Sequence, residues 1–182
     1  MECIIFIFIN NMIKYIIIMN FLLWNNSLDL AITQNGVREV GNNNGIEVCK
    51  YLRSVNLRAG NPYCLAGQYW SFDSTAKKLN MKNPLLKTGS TITFITYYKK
   101  HSQKVKENFK RGDWIFWRSG NKWKGHVERI DTVKKGGWCR LIGFNTGSGN
   151  PREGDGVHLK NRNLSHPLGI MHIEGVLGVE YE

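Results

Sequence analysis

The stretch Gly60-Asn61-Pro62-Tyr63-Cys64-Leu65-Ala66-Gly67-Gln68-Tyr69-Trp70-Ser71-Phe72 decides how the chain reads. Pro62 blocks a helix from running backward through the segment, so a helix starts at or just after it. Leu65, Tyr69, Phe72, Ala76 and Leu79 then recur at alternating four- and three-residue spacing, the apolar stripe of a helix packed on a core. Cys64 falls in the first turn. The unpaired N–H groups there carry partial positive charge, which favours a thiolate, the form of sulfur that attacks carbonyl carbon.

Elements on either side extend this pattern. Upstream, Gly41-Asn42-Asn43-Asn44-Gly45 forms a turn cluster with an Asn placed to cap a helix bearing Ile46, Cys49, Leu52 and Val55. Downstream, residues 91–98 have the β-branched and aromatic composition of a strand but show no alternation, and they are read as a helix covering one side of a sheet. From Lys110 the texture changes to strands and tight turns. Arg111-Gly112-Asp113 turns into residues 114–117, then 126–133 and 138–144 are joined by a hairpin turn at 134–137. Residues 157–160 and 170–179 supply further strands. Helices first, then antiparallel strands, is an α+β layout with N-terminal helices packed on a sheet.

Residues 4–24 are almost all Ile, Phe, Leu and Met, broken by Asn10, Asn11, Lys14 and Asn20. From Met12 onward the segment resembles a short signal peptide, with Lys14 ahead of an apolar run and polar Asn25-Asn26-Ser27 after it. An uncleaved anchor is the competing reading, although the polar breaks leave fewer than about 20 clean apolar residues. The chain therefore divides into residues 1–34, a signal-like or anchor segment with a polar connector, and residues 35–182, one domain. Export to the medium or the cell envelope is expected.

The 182 residues suffice for one sizeable core. A net charge of +11 points to an anionic partner or surface, although a Lys-, Asn- and Ile-rich coding bias would give the same excess. No basic-aromatic motif of the known nucleic-acid modules is present, and nucleic acid is not an expected partner. Cys3, Cys49, Cys64 and Cys139 form no C-x-x-C pair, and Cys49 and Cys139 read as small core residues. His101, His158, His166 and His172 show no metal-ligand spacing, so no metal or other cofactor is expected.

Gly125-His126-Val127 opens one apolar run and Asn145-Thr146 closes another. Taken with Cys64, this gives a nucleophile, then an imidazole base, then an amide able to orient it, each on a separate element. Lys110-Arg111-Gly112-Asp113 and Gly154-Asp155-Gly156-Val157 complete a series of motifs over residues 36–160. In order and spacing the series resembles the CHAP domains (cysteine, histidine-dependent amidohydrolase/peptidase) of the NlpC-type papain-like superfamily.

That resemblance implies a papain-like fold and a peptidoglycan hydrolase, either a cell-wall endopeptidase or an N-acetylmuramoyl-L-alanine amidase. Cys64 would be the nucleophile, His126 the base and Asn145 the residue orienting it. Tyr63 and Trp123 would contact substrate. Peptidoglycan or another anionic wall polymer is the implied partner, acted on by a monomer. Many relatives carry an acidic residue two positions before the Asn, where this chain has Gly143. That departure keeps open a catalytically inactive wall-binding module of the same fold. Some relatives bind calcium through Asp residues before the nucleophile; residues 57–63 hold no carboxylate, so no such site is expected.

Overall fold

The computed structural model describes residues 2–98, 109–118, 125–147, 154–164 and 169–171. Within them the chain is α+β. Four helices, α1 (Glu2–Ile32), α2 (Ile46–Ser54), α3 (Cys64–Lys78) and α4 (Thr91–Tyr97), precede five strands. The strands are β1 (Trp114–Arg118), β2 (Gly125–Val133), β3 (Trp138–Thr146), β4 (Gly156–Asn163) and β5 (Gly169–Met171). They form one antiparallel sheet in the order β4-β3-β2-β1-β5. The expected strand at 170–179 is seen only as β5; residues 172–182 lie outside the described part.

The helices cover one face of the sheet. Phe72 and Ala76 of α3, Phe94 of α4, and Trp114, Phe116, Val127, Ile142 and Phe144 of the strands share the main core. Alternation sends Ile115, Ile130, Cys139 and Leu141 to the other face, where they form a smaller cluster with Leu164. Successive residues of β2 thus serve opposite faces, and His126 and Glu128 flank Val127 on the side away from the main core. Asn44 does not cap α2 with its side chain; its carboxamide oxygen instead accepts from the Gly45 N–H at 2.7 Å.

Residues 25–34, expected to be a connector, are helical through Ile32, and Leu28 and Ala31 are fully buried. The polar residues that made the segment look like a linker have partners. Arg129 of β2, itself buried, donates from Nη2 to the Trp24 carbonyl at 3.1 Å and to Ser27 Oγ at 3.3 Å. Its guanidinium lies over the rings of Phe72, at 4.7 Å, and Trp114, at 5.6 Å. Arg111 reaches Asn25 and Asp29. Gly112, with φ of 95°, lets the turn before β1 close over Trp24; a side-chain carbon there would fall 2.0 Å from the indole Nε1. The other half of α1 is different, since Ile9, Ile13, Ile16, Ile18 and Phe21 are exposed. Residues Ile9–Ile32 are long and apolar enough to cross a bilayer, a property a signal sequence shares.

Candidate active site

Cys64 is the first residue of α3, with Tyr63 as its N-cap. Its sulfur lies 3.5 Å from Thr91 Oγ1, at the start of α4, and 3.9 Å from the Gly125 carbonyl oxygen. The imidazole of His126, next in β2, is near enough to pull the thiol pKa down, while the sulfur's hydrogen-bond contacts are with Thr91 and the Gly125 carbonyl. Three elements thus converge on the thiol: an α3 N-terminus, an α4 N-terminus and the first residues of β2. Ser90 fixes α4 by accepting the Thr93 N–H at 3.2 Å.

The imidazole is held from its far side. His126 Nε2 lies 3.2 Å from Glu128 Oε1 and 3.4 Å from Thr146 Oγ1. Thr146 also donates to Glu128 Oε1 at 3.1 Å. Glu128 is fully buried, and Arg162 of β4 grips its carboxylate with two bonds, Nε to Oε2 at 3.1 Å and Nη2 to Oε1 at 2.6 Å. The Arg162 guanidinium in turn sits 5.6 Å over Trp117, whose ring centroid is 5.9 Å from that of His126. Nε2 is thus the ring nitrogen turned to Glu128 and Thr146.

This wiring separates charge. Burial pushes the Glu128 carboxyl up, but His126 and Arg162 outweigh it and hold it down at about 2. Burial pulls His126 down, yet bonding to Cys64 and Glu128 wins and lifts it to about 9. Burial also pushes the Cys64 thiol up; the His126 imidazolium, the Thr91 hydroxyl and the Leu65 N–H overcome it, and the net direction is down. All three directions favour a thiolate–imidazolium pair backed by a carboxylate.

The expected residues fare differently. Cys64 and His126 come together. Asn145 lies in β3 but does not reach the imidazole. A bulge between Phe144 and Thr146 puts Asn145 in the left-handed region, at φ of 49°, so Thr146 takes the face that strict alternation would give to Asn145. The Asn145 carboxamide turns toward Gly154, where a side-chain carbon would fall 2.3 Å from Oδ1. Tyr63, expected at the substrate surface, is fully buried with its ring stacked on Tyr51 at 6.2 Å, so it packs the base of the nucleophile helix. Trp123 lies outside the described residues.

Sequence reading missed Glu128, Thr146, Arg162 and Thr91. Glu128 carried a signal: two residues after His126 in a strand, it had to share the imidazole's face. Gly143 stands directly opposite Glu128 in the β2–β3 ladder. The room left by the missing side chain holds the Glu128 carboxylate, which meets the imidazole from β2 instead of β3. Compared with known proteins, the chain matches no family model, no curated protein and no solved structure.

Proposed function

We propose that this protein is a cysteine-dependent amide hydrolase of papain-like fold that cuts peptidoglycan, at a cross-link peptide bond or at the amide joining muramic acid to the stem peptide. One observation carries the chemistry: the Cys64 thiol, at the start of α3, has its pKa pulled down by the neighbouring His126, whose Nε2 lies 3.2 Å from a buried carboxylate. The order of motifs resembling CHAP domains supports the substrate class. So does a net charge of +11, which would hold the enzyme on anionic wall polymers. The apolar N-terminal helix fits action outside the cytoplasm, in the envelope or beyond it.

In this reading the Cys64 thiolate attacks the amide carbonyl carbon, and the oxyanion is stabilised by the Cys64 main-chain N–H at the open end of α3. The His126 imidazolium gives its Nδ1 proton to the leaving nitrogen as the C–N bond breaks, leaving a thioester and a free amine. Neutral His126 then takes a proton from water, whose hydroxide adds to the thioester. The C–S bond breaks, the product leaves as a carboxylic acid that gives its proton to solvent, and the thiolate–imidazolium pair is restored. Glu128 keeps the ring oriented and charged, with Arg162 and Thr146 fixing the carboxylate.

The test is release of new amino groups from purified sacculi. The wild type releases them; Cys64→Ala and His126→Ala release none while keeping the wild-type circular dichroism spectrum. Release that survives Cys64→Ala rules the mechanism out. An inert wild type leaves the wall-binding module as the reading.

A further inference from the structure

The two halves of α1 have opposite surroundings although the helix is unbroken. Its carboxy-terminal half belongs to the domain: Leu23, Leu28 and Ala31 are fully buried, and Trp24 and Ser27 receive the buried Arg129. A leader peptidase cutting after the apolar run, near residue 24 or beyond, would strip Leu23 and Trp24 from the core and leave Arg129 without the Trp24 carbonyl. Cleavage there would remove part of the folded domain's own core. The amino-terminal half exposes Ile9, Met12, Ile13, Ile16, Ile18 and Phe21. Packing against the domain leaves each of these residues at least 43% exposed.

We infer that α1 is retained and that its amino-terminal half inserts into a lipid bilayer as a permanent anchor. The helix from Glu2 to Lys14, ahead of the residues that meet the domain, measures about 20 Å at 1.5 Å per residue, enough to enter the roughly 30 Å of bilayer hydrocarbon without crossing it. Asn10, Asn11 and Lys14 share one arc about 100° wide, and a lysine stem can carry its ammonium toward the headgroups. Tyr15, Ile16 and Met19 line a groove with Leu79 and Met81, just past the end of α3. The exposed lysines Lys78 and Lys82, and Lys77, which pairs with Asp73 at 2.6 Å, lie near that end. A basic collar therefore sits where the helix leaves the domain, complementary to anionic lipid headgroups.

The anchor also sets the direction of the site. Tyr15 to Met19 lie near the carboxy-terminal end of α3, whereas Gln34, just beyond α1, binds the Tyr51 hydroxyl at 2.8 Å, and Tyr51 stacks on Tyr63. The two helices are therefore antiparallel, and Cys64 occupies the end of α3 remote from the anchor. The 15 residues of α3 separate the nucleophile from the collar by about 22 Å. Only this orientation rests on the hydrolase reading; insertion does not.

The full chain is floated with phosphatidylglycerol–phosphatidylethanolamine vesicles in about 1 M salt, where charge attraction is screened within about 3 Å. It is expected to rise with the vesicles and to be released only by detergent. The triple variant Ile9→Lys, Met12→Lys, Ile13→Lys, altered only at exposed positions clear of the groove, is expected to stay at the bottom with an unchanged unfolding midpoint. Three results would each overturn the inference: a wild type that floats only at low salt, a variant that floats like the wild type, or a folded, soluble chain recovered from an exporting host without its first 24 residues. Hydrolysis is not read, so failure here is distinct from failure of the proposed activity.

Discussion

Glu128 and Gly143 face each other across β2 and β3, and the carboxylate of one fills the space vacated by the other. A side-chain carbon at position 143 would lie 2.8 Å from both Cγ and Oε1 of Glu128. Two acids cannot share that rung.

It follows that Gly143→Ala displaces Glu128 and costs activity although position 143 touches no reacting atom. Overpacking of this kind costs about 1–3 kcal/mol of stability. A double variant, Glu128→Gly with Gly143→Glu, returns the carboxylate from the opposite strand. Turnover is expected to fall roughly 100-fold in Glu128→Gly and to recover at least in part in the double variant. A double variant no better than the single one means the carboxylate does not act on His126.

The pH profile should carry the same signature. His126 is raised from 6.5 to about 9, so its charged form adds stability that is complete below about 6.5 and lost as pH rises through about 9. Glu128 is lowered from 4.5 to about 2; its contribution is complete above about 4.5 and lost as pH falls through about 2. Hydrolysis is expected to decline on the alkaline side near 9 as the imidazolium loses its proton. Glu128→Gln removes the charge that supports the imidazolium, and the alkaline limb should move to lower pH. Rates measured from pH 5 to 10 or so decide this; an unmoved limb contradicts the assignment.

Thr91 acts on the sulfur alone. Thr91→Val keeps the shape of the side chain but removes the hydroxyl 3.5 Å from Sγ. One neutral hydrogen bond is worth about 1 kcal/mol, so alkylation of Cys64 at neutral pH should slow by about fivefold. Full-rate alkylation would show that the hydroxyl does not reach the thiolate.

Leu28 separates a core helix from a leader. Leu28→Ala in the full chain should cost about 2–5 kcal/mol, as at any filled core position. Ile13→Ala, at an exposed position of the same helix, should stay within about 0.5 kcal/mol in detergent. Equal midpoints for the two would place residues 25–32 outside the cooperative unit.

Much of this could be read along the chain. Pro62 and the four-three stripe after Cys64 are local signals, and they give the helix and the placement of the thiol in its first turn. His126 follows from a glycine at the entry of an alternating run. The rest depends on contacts between residues far apart in sequence. Nothing near Thr91 announces that α4 will point at Cys64, 27 residues earlier. Asn145 reads as the orienting residue because the bulge that turns it away arises from pairing with β4. Asn25, Ser27 and Asp29 read as a linker because Arg111 and Arg129, which satisfy this segment, lie more than 80 positions on.

No glycine, proline or bend interrupts α1 between Phe21 and Leu28, so nothing along it can swivel. A rod held by a bilayer at one end and by the domain at the other would transmit tilt. Lipid thickness or lateral pressure that leans the helix would then aim Cys64 by the same angle, and the region the thiol sweeps would be set by how freely a single rod can rock.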